Sequence, residues 1–281
     1  MLIAGPTASG KSAKAVEVAR AIGGTIVNAD AMQVYDVLRV VTARPALDEM
    51  KGVAHRLYGT VSPGVRYSTG DWVRDVGAVI AETSGPLVFA GGTGLYFDAL
   101  EHGFEEVPQV PASVVERVAA EVAALDAAGR GRLIAERDPL IAARLKAPDP
   151  QRVTRALAVL EGTGRSLATY QDAGQEGLLT GFAVERMVVD PGREVVRDRI
   201  AARFATMLEL GAVEEVEALR AMTLDPSLPA MKAIGVPEIS AWLDGEMSHE
   251  EAIERAVIAT RQYAKRQRTW IRNRMGDWPR V

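Results

Sequence analysis

The octapeptide Gly5-Pro6-Thr7-Ala8-Ser9-Gly10-Lys11-Ser12 narrows what this chain can become more than any other stretch. It matches GxxxxGK[ST], follows the apolar run Leu2-Ile3-Ala4 and leads into the helical text SAKAVEVARAI. A glycine-rich loop is therefore expected between a strand's end and a helix's start. Backbone N–H groups in such a loop close around phosphate oxygens, Lys11 adds a cation, and the Ser12 hydroxyl is placed to hold Mg²⁺. The loop implies a diphosphate-bearing ligand without saying that the ligand is a nucleotide.

Short β-rich runs recur with helical text between them: LIA near Met1, then 25–29, 55–61, 87–92 and 185–190. This alternation predicts an α/β fold, a P-loop NTPase-like core with a parallel, doubly wound sheet. The length of 281 residues leaves room for an insertion. From about Pro108 to Asp172 the strand signals stop, and Val115, Val118, Val122 and Leu125 are expected on one helical face. Asp138-Pro139 and Asp149-Pro150 each read as a capping side chain before a first-turn proline. The predicted organisation is a core of residues 1–107 and 176–281 with a helical insertion of residues 108–175.

The chain has no cysteine, and His55, His102 and His249 are scattered, so disulfides, thiol nucleophiles and zinc clusters are not expected. No run approaches roughly 18 apolar residues, and no charged leader precedes the loop, so a cytoplasmic protein is expected. The formal charge is −4, yet residues 261–274, RQYAKRQRTWIRNR, hold Arg261, Lys265, Arg266, Arg268, Arg272 and Arg274 and no acid. That stretch is a candidate polyanion footprint.

Kinases and NTP hydrolases usually take an acidic Mg²⁺ ligand from the end of another strand, and LVFAGGTG ends without one. A carboxylate comes instead from Asp30, closing the second strand. It can hold a magnesium-bound water, accept a proton from an incoming nucleophile, or cap a following helix. Thr93 in the turn Gly91-Gly92-Thr93-Gly94 offers a hydroxyl to a phosphate or to magnesium water. Arg199 and Arg203 lie one helical turn apart, and either can reach back to a diphosphate or remain solvated.

The set GPTASGKS, ADAMQVY, GGTGLYFDAL, DPQRVTRALAV, RIAARFATML, KAIG and ATRQYAKRQRTWIR strongly resembles the tRNA dimethylallyltransferase family, in the family's order and across nearly the whole chain. The resemblance implies that the P-loop holds dimethylallyl diphosphate while the exocyclic amine of a tRNA adenosine beside the anticodon attacks the allylic carbon. It implies Asp30 as general base, Thr93 at the reaction centre, and Lys11, Arg203 and Ser12 with Mg²⁺ stabilising the leaving diphosphate. It also implies tRNA contacts from Asp30, Ala31, Met32 and Gln33 and from Gln151, Arg152, Val153, Thr154 and Arg155. The basic Lys265, Arg266 and Arg268 join these on electrostatic grounds.

Ser12 stands where threonine is more usual in that family, HRLYGTV lacks its paired histidines, and AIGVPEI lacks the aromatic after AIG. An adenylate isopentenyltransferase acting on a free nucleotide, a P-loop small-molecule kinase and a non-enzymatic binding module are the rival readings. The expected partners are dimethylallyl diphosphate and the tRNA anticodon stem-loop, with no membrane, for a monomeric enzyme.

Overall fold

A computed structural model describes residues 1–104, 107–172 and 176–281. Among these residues, strands β1 (Leu2–Ala4), β2 (Thr25–Asn28), β3 (His55–Arg56), β4 (Leu87–Gly91) and β5 (Arg186–Val188) form one parallel sheet in the order β3-β2-β4-β1-β5. The helices are α1 (Lys11–Ile22), α2 (Thr69–Glu82), α3 (Gly94–His102), α4 (Ala112–Ala123), α5 (Ala127–Arg137), α6 (Pro139–Ala142) and α7 (Pro150–Thr163). They continue with α8 (Leu167–Asp172), α9 (Arg193–Glu209), α10 (Ala212–Ala221), α11 (Val236–Leu243) and α12 (His249–Arg274).

The strands are short because they need only span the buried middle of the sheet. Leu2, Ile3 and Ala4 are all buried, as a parallel strand covered on both faces requires. Leu2 sits opposite Phe89 on one side and Arg186 on the other, and Ala4 opposite Gly91 and Val188. On one side, Ala15, Val16 and Ala19 of α1 pack with Ile3, Ile26, Val88 and Ala90. A second core joins Val34, Tyr35 and Leu38 to Val196, Ile200 and Phe204 of α9, Ile239 of α11 and Ala256 of α12.

The strand expected over 55–61 is only two residues long. Leu57 takes φ 62°, a left-handed conformation that no pleated strand can continue. The chain touches the sheet region again at the parallel bridge between Tyr35 and Val61. At the opposite edge, Val188 N–H donates to Pro279 O at 2.7 Å and Val281 N–H to Val188 O at 2.9 Å, so the last residues cover the outer side of β5. Unpaired strand edges template pairing with other chains, and this one is occupied.

Two compact units result: Met1–Ala99 with Gly181–Val281, and Leu100–Thr180. The first boundary falls inside α3, upstream of the predicted one, and the predicted far end at residue 175 lies outside the described residues. In the second unit, Val118 and Val122 of α4, Ile134 of α5, Ile141 of α6 and Val153 and Leu157 of α7 form a helical core. The expected apolar face is turned slightly: Val114 packs against this core, while Val115 is 37% exposed. A four-residue step from Val122 to Val118 to Val114 keeps one stripe, and Val115 falls off it.

Both proline-led helix starts form. The Asp138 carboxylate accepts Ile141 N–H, and that of Asp149 accepts Arg152 N–H, each at 3.1 Å. Asp138 is buried, and the Ser166 hydroxyl donates to it at 2.8 Å. No helix among the described residues is long and apolar enough to cross a membrane.

Candidate functional site

The loop of residues 5–12 leaves β1 and turns into α1 through two left-handed residues, Ala8 at φ 61° and Gly10 at φ 97°. Gly10 caps α1 without a side chain, so the first-turn N–H groups have no side-chain partner there. Lys14 N–H is the first to reach back, to Gly10 O at 3.2 Å. The helix therefore presents free donors and the positive end of its dipole to the space before it, where an anion is favoured. Lys11 Nζ donates to Pro6 O at 3.3 Å. Desolvation pulls its ammonium down to about 8, against the attraction of Asp30 and with the repulsion of Arg203.

Asp30 is held by its neighbours before it does anything else. Its N–H donates to Asn28 Oδ1 at 2.8 Å, and Asn28 Nδ2 donates back to Asp30 O at 2.9 Å and to Leu57 O at 3.0 Å. Asn28 O in turn accepts the Trp72 indole N–H at 2.8 Å. Asp30 Oδ1 accepts Met32 N–H at 3.0 Å, closing a turn. No helix follows, so the capping role left open for Asp30 becomes a turn-closing one that occupies a single oxygen. Its charge raises the phenol pKa values of Tyr58, Tyr96 and Tyr263, where burial is the larger cause.

Thr93 is laced to the same turn: its N–H donates to Ala29 O at 3.1 Å, and its hydroxyl oxygen accepts Ala31 N–H at 2.9 Å. Both arginines of α9 reach the P-loop. Arg203 Nη2 donates to Thr7 Oγ1 at 2.7 Å and Arg199 Nη1 to Ser9 O at 3.0 Å. Burial lowers the pKa of Arg203, and Asp30 opposes the shift.

Two cavities meet at these residues. The larger, about 960 Å³, is lined by the loop from Thr7 to Ser12 with Gln33, Lys51 and Arg199. The smaller, about 260 Å³, is lined by Ala31, Met32, Phe204, Lys232, Tyr263 and Arg266. Thr7, Asp30, Thr42 and Arg203 belong to both. Among the described residues no cluster of three or more His, Asp or Glu side chains is built for a metal. Ser12 and Asp30 nonetheless line one cavity. Mg²⁺ bound with a diphosphate keeps several waters and needs one or two protein oxygens, so these residues fit it.

The residues named for RNA contact fall into different settings. Ala31 and Met32 line the smaller cavity, whereas Gln33 Nε2 is spent on Thr42 O and Ala43 O at 3.0 and 3.1 Å. On α7, Gln151, Arg152 and Arg155 are exposed and Thr154 is half-buried. Val153 is fully buried in the helical core and has no surface to offer. On α12, Lys265 and Arg266 are exposed. Arg268 instead pairs with Asp190 at 2.5 Å, both side chains largely covered.

Sequence reasoning overlooked Asn28, which shows only as a polar residue ending an apolar strand, and Gln267, a neutral residue inside a run read for its charges. Both are buried, and each side chain uses its amide oxygen and its amide nitrogen in hydrogen bonds.

The profile of the IPP transferase family matches residues 33–274. The chain is 49% identical to the tRNA dimethylallyltransferase of Allorhizobium ampelinum, over all of this chain and 94% of that one. It is 48% identical to the enzyme of the same name from Agrobacterium fabrum, over all of this chain and 96% of that one. Among solved structures, the tRNA isopentenylpyrophosphate transferase of Bacillus halodurans matches with TM-score 0.70 and 29% identity, over all of this chain and 88% of its own. A eukaryotic dimethylallyltransferase described as acting on tRNA matches with TM-score 0.78 and 25% identity, over 96% of this chain and 69% of its own. With a family profile spanning most of its length and full-length relatives near half identity, this chain belongs to the IPP transferase family.

Proposed function

We propose that this chain transfers a dimethylallyl group from dimethylallyl diphosphate to the exocyclic amine of the adenosine 3′ of the anticodon in tRNA, releasing pyrophosphate. The observation that carries the reading is the meeting of the two cavities at Asp30, Thr7 and Arg203. One cavity offers N–H groups and cations to a diphosphate. The other offers Met32, Phe204 and Tyr263 with an exposed Arg266 to a base and its phosphate. The relatives named above are called tRNA dimethylallyltransferases, and the chemistry of these walls suits that reaction.

In the step, the amine nitrogen forms a bond to the first allylic carbon as the carbon–oxygen bond to the diphosphate breaks. The electron pair leaves with the diphosphate, and the amine proton passes to the free oxygen of Asp30. Lys11, Arg203 and the α1 N–H groups receive the charge that develops on the leaving group. Ser12 would hold Mg²⁺, which supplies further neutralisation of that charge. No phosphoryl group is transferred, so the reaction has no need of ATP.

The adenosine must leave its stack to enter the smaller cavity. Lys265, Arg266, Gln151, Arg152, Thr154 and Arg155 are the side chains offered to the surrounding RNA, with Ala31, Met32 and Gln33 nearer the base. We assign the enzyme to the cytoplasm as a monomer. The test is incubation with dimethylallyl diphosphate and total tRNA, followed by nucleoside mass spectrometry, with parallel arms containing AMP or ATP. Prenylated adenosine in tRNA is expected. Prenylation of AMP alone, or product only when ATP is hydrolysed, would replace this reading with one of its rivals.

A further inference from the structure

The basic stretch of α12 contains one buried neutral residue. Gln267, 5% exposed, accepts Thr7 N–H on Oε1 at 2.8 Å and donates from Nε2 to Gly92 O at 2.9 Å. Thr7 belongs to the P-loop and Gly92 to the turn that carries Thr93, so one amide ties the two loops together across 260 residues of sequence from Thr7. The approach is close enough that a Cβ on Gly92 would lie 2.1 Å from Gln267 Nε2.

The chemistry of the contact is selective. It needs an acceptor and a donor side by side on one planar group, which a primary amide supplies and a hydroxyl, ammonium or guanidinium does not. A carboxylate could accept from Thr7 but would set a lone pair against the Gly92 carbonyl. Asparagine is one methylene too short to reach both. An apolar side chain of equal length would leave Thr7 N–H and Gly92 O without partners. The tie also runs onward: Arg203 bonds the Thr7 hydroxyl, and Thr93 bonds Ala31 beside Asp30.

We infer that Gln267 is a positioning residue, setting the distance between the diphosphate cradle and the turn that holds Thr93 and the Asp30 loop. This rests on the prenyl transfer proposed above, in which donor carbon and acceptor amine are placed by those two loops. A displacement of about 1 Å between reacting groups lowers a rate by roughly 10²-fold.

The test compares Gln267→Met and Gln267→Glu with wild type. Thermal melts, affinity for inorganic pyrophosphate, affinity for tRNA, and the single-turnover rate of prenyl transfer at saturating donor are measured for each. Gln267→Met is expected to lose about 10- to 100-fold in single-turnover rate and to bind pyrophosphate several-fold more weakly, with tRNA affinity unchanged. Gln267→Glu should show the same loss at pH 8 and recover part of it at pH 6, where a neutral carboxyl regains an O–H donor for Gly92; burial raises its pKa toward that window. Each value is taken against wild type at the same pH, since Lys11 and pyrophosphate titrate nearby.

If Gln267→Met does not fold, the Glu variant decides. Single-turnover rates that match wild type once corrected for the folded fraction would overturn the inference. A wild-type protein that prenylates no tRNA would refute the proposed reaction instead. Gln267 would then be judged on pyrophosphate alone, where unchanged affinity in both variants rejects it.

Discussion

Asp30 spends one carboxylate oxygen on Met32 N–H, and Asn28 grips the N–H and the carbonyl of the same residue. The carboxylate is thus fixed before substrate arrives, as the role of general base proposed for it requires. Asp30→Asn keeps the shape and the turn but removes the proton acceptor. It is expected to lower turnover by about 10²- to 10⁴-fold while equilibrium binding of tRNA and pyrophosphate is retained. Parallel losses in binding and turnover would remove Asp30 from the chemistry. Lys11 supports a second prediction, of opposite character. Its free-state pKa is about 8, and a diphosphate beside it restores the ammonium, so the bound pKa lies above the free one. Donor binding therefore takes up a proton as pH passes above about 8 and weakens by at most tenfold per further pH unit. Calorimetry of pyrophosphate binding in two buffers of different ionisation heat measures this uptake, and Lys11→Met should lose that share of it. Lys11, Asp30 and Thr93 could be singled out from the sequence because strand ends carry the chemistry of an α/β fold. Asn28 and Gln267 were not, since what marks them is burial and two well-placed partners, neither of which a linear pattern records.

Among the elements, α12 is the one whose sequence misleads most instructively. Its charges read as a single basic patch, yet helical geometry sends neighbours to different sides, and Arg268 turns inward to Asp190 while Lys265 and Arg266 face solvent. Neutralising Lys265 and Arg266 together should reduce the slope of log affinity for tRNA against log salt by roughly 0.7 to 0.9 per lost phosphate contact, with the melting temperature unchanged. Arg268→Gln should instead lower the melting temperature, because it removes the close cation from Asp190 and leaves the more distant Arg280, at 4.0 Å, to face it. An unaltered slope in the double variant would send the search for the RNA surface to α7. There the same geometry separates Val153 from the residues flanking it: Val153→Ala should cost about 1.5–3 kcal/mol in the unfolding of the helical unit, read by denaturant titration. The strands were legible from their β-branched runs. The early end of β3 was not, because it comes from Leu57 taking a left-handed conformation, with its carbonyl held by Asn28, which a residue pattern does not record.

At the scale of the molecule, the sheet order β3-β2-β4-β1-β5 places the P-loop after an interior strand, with the end of β4 next to it and that of β2 one strand further on. That much follows from parallel topology, in which the carboxyl ends of adjacent strands share a crevice. The chain divides into two units, and the first boundary lies within a continuous helix, where composition gives no break to read. The unit that carries the site is made from both flanks of the chain, and the bond from Gln267 to Thr7 spans nearly its whole length. During synthesis, which runs from the N-terminus, the P-loop is made before α12 and must wait for it before its Thr7 N–H finds this partner. The helical unit, continuous in sequence, can pack while that wait lasts. A nascent chain halted before residue 267 would carry the whole phosphate-binding motif and still lack the amide that ties Thr7 to Gly92, so that tie forms only once α12 has been made.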